Sequence, residues 1–227
     1  MKDLGWGTGL SINNSGVVVG YSITSVSPTF QYHAAISYHG GPLQALTNYD
    51  PDQNSVATGI NESNQVVGYQ GSYPHGGFVW HNGKILYLPS VDGLGGGVAP
   101  EAINKLGHVT GEAESGGYGA NHWHTFLYRN GKIIIFLGKG VYTDGFAINS
   151  HDQIVGNDGP MPDGDNRAAL FMNGQTFDLN NLVPADSSRL LESAASINDS
   201  GEIIAEGRKY LSNGTRENHT FLLTPLD

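Results

Sequence analysis

Ile60-Asn61-Glu62-Ser63-Asn64-Gln65-Val66-Val67-Gly68-Tyr69 returns in altered form around Ile12-Asn13, Ile103-Asn104, Ile148-Asn149 and Ile197-Asn198, 43 to 49 residues apart. Self-similarity at such a period marks a repeat architecture, in which one supersecondary unit is copied along the chain. Three residues after each Asn stands Gly16, Asn64, Gly107, Asp152 or Gly201, residue types that tolerate a left-handed backbone. The Asn side chain can bond to backbone two residues on. Each copy therefore reads as a tight turn, and an apolar strand follows it, as at residues 17–19 and 65–67.

A second hairpin follows about 20 residues later, a spacing that suits short strands. Gly40-Gly41, Asn82-Gly83, Asn130-Gly131 and Asn173-Gly174 carry it, pairs that suit a two-residue type I′ turn. Strand-like segments precede these turns (33–36, 77–80, 124–127 and 168–171), and others follow them to end at Leu46, Leu88, Leu137 and Leu179. Each repeat thus holds four strands, A to D. The fifth copy supplies a strand C at residues 219–223 and no strand D. Lys2-Asp3-Leu4-Gly5 precedes the first strand A and resembles the D segments, so the N-terminal segment is expected to complete the last blade beside residues 220–223. The expectation is an all-β fold: one domain, 1–227, forming a five-bladed β-propeller of four-stranded blades closed by its own N-terminal segment. A β-solenoid or a sandwich is the alternative, but a solenoid would want polar caps at its ends.

Composition agrees with short strands. There are 33 glycines among 227 residues and only 14% charged residues, so turns are frequent and long charged helices are not expected. The net charge is −10, with 11 Lys and Arg, which repels a phosphate backbone and leaves no basic stripe for nucleic acid or anionic lipid. The longest apolar runs, such as residues 133–137, fall far below the ~20 residues of a membrane span, so no membrane insertion is expected. There is no cysteine, which removes disulfides and thiol chemistry and leaves the compartment open. Met1-Lys2-Asp3-Leu4-Gly5 has no apolar core of a signal peptide; such a segment is expected to have been removed or never present. The sequons Asn61-Glu62-Ser63 and Asn198-Asp199-Ser200 arise from the turn motif itself and say nothing of glycosylation.

Ile60-Asn61 with Val66-Val67-Gly68-Tyr69, Ile12-Asn13 with Val18-Val19-Gly20-Tyr21, and His124-Thr125-Phe126 with Asn130-Gly131 together resemble the HAF repeat of bacterial extracellular proteins. The resemblance covers essentially the whole chain. It implies an extracellular or periplasmic bacterial protein and supplies no catalytic residues. The third and fourth copies depart from the pattern, with Glu112 and Asn157 in place of the tyrosine and Arg167 in place of the histidine.

The A–B and C–D turns are nearly uniform, as a structural requirement would make them. The loops on the other rim, 21–32, 69–75, 112–122, 157–166 and 206–218, vary in length and content, and functional residues concentrate on such loops. Just past strand B the five copies carry Tyr21, Tyr69, Glu112, Asn157 and Glu206. Two aromatic faces, two carboxylates and an amide suit a neutral carbohydrate or another small polar ligand, with Asp144 and Glu192 adding acidity; the alternative is a solvated rim. A hydrolase reading makes Glu112 and Glu206 an acid and base pair at the carboxyl spacing of inversion, about 6.5–9.5 Å, retention needing about 5–5.5 Å. A lyase acting on an acidic polysaccharide would need cations this rim lacks. A protein-interaction scaffold is the third reading, and it expects exposed apolar surface instead of a polar mouth.

Two metal readings stand beside these. His122 and His124 share one side of an extended segment, and with Glu112 could hold zinc. His33, His124 and His219 occupy equivalent positions, however, and a recurring residue is better explained by a hydrogen bond to the neighbouring blade. Asp50, Asp52 and Asn54 match the first oxygen positions of a calcium loop, but Ser55 and Asn61 stand where its glycine and glutamate belong; Asp163-Gly164-Asp165 is a second calcium candidate.

Overall fold

A computed structural model describes residues 1–25, 30–46, 52–71, 76–91, 96–115, 122–161, 164–184 and 188–226, the side chains of residues 115 and 122 excepted. The fold is all-β, with five antiparallel sheets of three or four strands, one for each sequence repeat. The first sheet holds β1 (Gly7–Ile12), β2 (Val18–Ser25), β3 (Gln31–Ser37) and β4 (Gln44–Ala45). The second holds β5 (Ser55–Ile60), β6 (Val66–Gln70), β7 (Gly76–His81) and β8 (Lys84–Tyr87). The third holds β9 (Val98–Ile103), β10 (Val109–Ser115), β11 (His122–Arg129) and β12 (Lys132–Phe136). The fourth holds β13 (Tyr142–Ile148), β14 (Ile154–Gly159), β15 (Arg167–Met172) and β16 (Gln175–Asp178). The fifth holds β17 (Arg189–Ile197), β18 (Ile203–Tyr210) and β19 (Arg216–Leu223). Strands follow chain order across every sheet. By contacts the chain divides into two compact units, Met1–Val109 with Glu114–Ala120, and Thr110–Ala113 with Asn121–Asp227.

Each Ile-Asn turn closes as the side-chain chemistry dictates. Asn61 Oδ1 accepts the amides of Ser63 and Gln65 at 3.0 Å each, and Gly16, Asn64, Gly107, Asp152 and Gly201 all have positive φ. The same Asx geometry recurs at Asn13, Asn104, Asn149 and Asn198. The Asn-Gly pairs also take positive φ at both residues. In the first repeat the turn sits one residue earlier than expected: His39 and Gly40 carry the positive φ values, and the Gly41 amide bonds to the Tyr38 carbonyl.

The Gly of the Val-Gly-Tyr motif has a packing reason. Strand A shifts register between Gly9 and Ser11, Ala57 and Gly59, Gly145 and Ala147, and Ala194 and Ser196, so a bulged residue recurs there and sharpens the local twist. At the bulge the strand A backbone presses on strand B: a Cβ on Gly20, Gly68 or Gly156 would overlap the carbonyl oxygen of Thr8, Val56 or Asp144. The fifth repeat has Ala205 at this position. There β17 shifts register a second time, between Leu191 and Ser193, and Gly207 meets the Leu190 carbonyl instead.

The core forms between successive sheets. In the first unit Val17, Val19, Ala34, Ile36 and Leu46 cluster with Ala57, Ile60, Val66, Phe78 and Trp80 of the next sheet. In the second, Val155, Ala168 and Leu179 cluster with Leu191, Ala194, Ile197, Ile203 and Ala205. The leucine expected to end each strand D is buried at Leu46, Leu88 and Leu179, but Leu137 is exposed. Phe136 is buried in its stead, its ring 5.8 Å from that of Phe171.

The expected fourth strand of the fifth sheet is not found among the described residues. The fifth sheet has three strands, and the N-terminal segment bonds within its own repeat: Leu4 accepts the Leu43 amide at 2.8 Å, Trp6 accepts the Ile23 amide at 3.0 Å, and Lys2 Nζ reaches the His39 carbonyl at 3.0 Å. The Leu4 carbonyl is thereby used inside the first repeat.

Candidate functional site

The residues expected just past strand B lie inside it, because these strands run longer than their apolar stretches. Tyr21 sits on β2, Tyr69 on β6, Glu112 on β10, Asn157 on β14 and Glu206 on β18. Strand A supplies their cross-strand neighbours: Thr8 for Tyr21, Val56 for Tyr69, Asp144 for Asn157 and Ser193 for Glu206. Parts of the variable loops lie outside the described residues.

In the first unit Tyr21 packs on Tyr32 with ring centroids 5.1 Å apart, and Phe30 lies 5.7 Å from Tyr32 on its other side. Asn54 Oδ1 accepts the Tyr32 amide at 2.9 Å. That bond occupies the side-chain oxygen that the calcium reading would enlist, and Asp50 lies outside the described residues. On β9, Glu101 is mostly buried, and burial raises its pKa to about 7. Periodicity gave no signal for Glu101, since the equivalent position is Leu10, Thr58, Phe146 and Ala195 in the other repeats.

In the second unit Glu112, Asp144 and Asn157 come together. Burial raises the pKa of Asp144, partly offset by side-chain hydrogen bonds from Glu112 and Asn157. Two carboxyls within hydrogen-bond reach share a proton instead of both ionising. Among the described residues the buried Asn157 Oδ1 has no hydrogen-bond partner. The group therefore offers a carboxyl proton, carboxylate oxygens and an amide oxygen at one place, a set that complements hydroxyl groups.

Glu192 and Glu206 are placed separately, on β17 and β18. Arg208 holds Glu192, with Nε 2.8 Å from Oε2 and Nη2 against Oε1, and its Nη2 also lies 2.6 Å from Asp165 Oδ1. Asp165 is thus committed to an ion pair, and Asp163 lies outside the described residues. Glu206 is exposed and lines an open cavity of about 350 Å³ with Glu192, Asn218, His219 and Thr220. His219 lies 3.3 Å from Glu217 on its own strand, and His33 lies 3.5 Å from Thr24 in its own sheet. These two contacts stay within a sheet. Among the described residues no three His, Asp or Glu side chains form a group that could hold a metal, and the side chain of His122 is outside them. No helix among the described residues is long and apolar enough to cross a membrane.

No protein-family model and no curated protein matches the sequence. Among solved structures the chain is similar to TolB from Acinetobacter baumannii, with a TM-score of 0.56 at 13% identity, over 91% of this chain and 52% of that one. It spans about half the length of the TolB structure. TolB is a β-propeller, and the likeness bears on fold alone: the five sheets form a β-propeller-like fold.

Proposed function

We propose that this chain is an interaction module, a β-propeller with the five sheets as its blades, which binds another protein chain through apolar sheet faces. One observation carries the reading. Leu10 and Ile12 on the first sheet and Ile204 and Leu222 on the fifth are exposed large apolar residues, set in rows on strands and not scattered. Contiguous exposed apolar surface marks interaction sites. The resemblance to extracellular HAF repeats supports a partner met outside the cytoplasm. Because the chain has no cysteine, a single Leu222→Cys tests the reading directly. A maleimide should label it several-fold more slowly in producing cells than in dilute purified protein, while Asn213→Cys in an exposed turn labels alike in both. Equal labelling at both positions would remove the proposal.

A second reading is favoured by Glu112, Asp144 and Asn157: binding of a neutral carbohydrate or small polar ligand, with Tyr21, Tyr69 and Glu206 on the corresponding strands. Calorimetry with neutral oligosaccharides should show binding that Asp144→Asn weakens; heats unchanged by that substitution would dismiss this site. For a hydrolase, Glu112 is spent on Asp144, closer than the ~5 Å that separates two working carboxyls. Glycosidase activity lost in both Glu112→Gln and Glu206→Gln would reinstate that pair.

A further inference from the structure

Resting on the second reading, that Glu112, Asp144 and Asn157 form a binding site, we infer that the ligand group they take is a primary ammonium. All three residues lie in the second unit, and strand register sets them together. Asp144 on β13 stands opposite Asn157 on β14, whose side chain donates a hydrogen bond to it. The next residue, Gly145, lets β13 press onto β10 and β11: a Cβ there would lie 2.8 Å from Thr110 Oγ1 and 2.6 Å from Thr125 Cγ2. Glu112 is two residues beyond Thr110 on β10 and so on the same face of that strand, which carries its carboxyl to that of Asp144.

The fold does not demand this group. Four residues before the Ile of Ile-Asn, where Asp144 stands, the other repeats have Thr8, Val56, Ala99 and Ser193, none of them ionisable. A pair of carboxyls taken partly out of water costs stability, so the repeat is better built without it. Glu112 and Asp144 are half-buried and keep a side open to solvent. Asn157, bonded to Asp144, is 8% exposed, and its Oδ1 has no hydrogen-bond partner among the described residues. A buried amide oxygen without a donor is costly, and a ligand N–H relieves that cost.

Charge decides between ligands. Two carboxyls with one proton between them keep one negative charge. Burial, Glu112 and Asn157 set the state of Asp144, and no Lys or Arg among the described residues acts with them. A hydroxyl ligand would satisfy the oxygens and leave that charge uncompensated where water is partly excluded. A primary ammonium brings a positive charge and three N–H donors, one for each carboxyl and one for Asn157 Oδ1. A metal ion is served less well: calcium takes about 6–8 oxygen ligands, and among the described residues no three His, Asp or Glu side chains come together to hold a metal.

Three small ligands test this on the unaltered full chain, isotope-labelled so that the side-chain amide of Asn157 can be followed by NMR. They are propylammonium, its trimethyl analogue and propanol. The analogue keeps the charge without donors, and propanol keeps a donor without the charge. Propylammonium should move the Asn157 signal saturably and bind about tenfold more tightly than either, or better. Asp144→Asn and Glu112→Gln should each weaken it about tenfold; the three-ligand comparison stands even if a variant fails to fold. Equal binding of the trimethyl analogue would reduce the effect to general attraction by an acidic protein and overturn the inference. Equal binding of propanol, or an Asn157 signal that no amine moves, would overturn it as well. An acetylated peptide with one lysine separates the sources of the ammonium: binding as tight as that of propylammonium assigns it to a lysine of a partner protein, and binding about tenfold weaker assigns it to a small amine. If the amines fail while neutral oligosaccharides bind in a way that Asp144→Asn weakens, the inference falls and the second reading stands; if neither class binds, both fall.

Discussion

Asn61 donates its Nδ2 to the backbone carbonyl of Asn104, 3.0 Å away and 43 residues further along the chain. The same side chain accepts the amides of Ser63 and Gln65 and donates to Gln65 Oε1 at 2.7 Å. It is a turn cap and a link between sheets at once, and it is buried. Asn61→Ala removes the acceptor of the Ser63 and Gln65 amides and one of the donors to the Asn104 carbonyl, and should cost about 2–4 kcal/mol. Asn61→Asp keeps the acceptor and loses the donor, so its cost should be intermediate and should grow as the new carboxyl ionises. Asn198→Ala, at an exposed turn where Nδ2 bonds its own Glu202, should cost only about 1 kcal/mol. Urea unfolding midpoints should rank the three in that order; equal costs for Asn61→Ala and Asn198→Ala would show that the link between sheets contributes nothing.

What the sequence made legible was local. Ile-Asn and Asn-Gly specify positive φ and Asx bonding within five residues, so the repeat count and turn chemistry follow from the chain alone. The link from Asn61 to Asn104 was hidden because it joins residues in different repeats, and no local preference encodes it. The same holds for Glu112 and Asp144, which stood as separate candidates until β10 and β13 brought them together. The bulges were hidden because the extra residue of strand A looks like ordinary variation, although the recurrent Gly of Val-Gly-Tyr was its trace. Lys2-Asp3-Leu4 has D-strand composition, but composition cannot say which amide the Leu4 carbonyl meets, and it meets that of Leu43.

Ile12 and Ile60 share a sequence position and differ in surroundings. Ile60 sits in the cluster between the first two sheets, and Ile60→Ala should cost about 2–4 kcal/mol in lost burial and residual cavity. Ile12→Ala should cost under about 1 kcal/mol at dilution, since an exposed side chain has little burial to lose. Thermal unfolding of the two variants at low protein concentration checks this. A large cost at Ile12 would mean that its face is covered within the single chain.

Gly68→Ala tests the bulge. A Cβ there would meet the Val56 carbonyl oxygen, the Ala57 Cα and the Phe78 ring. Two of these are backbone, so relief requires strand A to move away from strand B, and overpacking of this kind costs about 1–3 kcal/mol or more. Ala205→Gly, at the equivalent place in the fifth repeat where Gly207 carries the close approach, should lose less than about 1 kcal/mol, the ordinary entropic effect of glycine in a strand. Similar losses for both would mean that the motif glycine is not there for close packing.

Glu101 gives the protein a pH signature. Burial raises its pKa from 4.5 to about 7, so the folded chain holds this proton over a range where the unfolded chain has released it. The folded state then binds more protons than the unfolded one between about pH 4.5 and pH 7, and stability falls as pH rises through that window. Below it both states are protonated, and the contribution is fully present; above it both are ionised, and burial of the charge opposes folding by an amount of order a few kcal/mol. Glu101→Gln is always neutral and should flatten this part of the profile, leaving the variant more stable than the parent at pH 8 and nearly equal to it at pH 4. Unfolding midpoints measured at intervals from pH 4 to pH 8 decide the matter. A parent profile that does not fall between pH 4.5 and 7 relative to the variant would show that Glu101 ionises as readily in the folded chain as in the unfolded one.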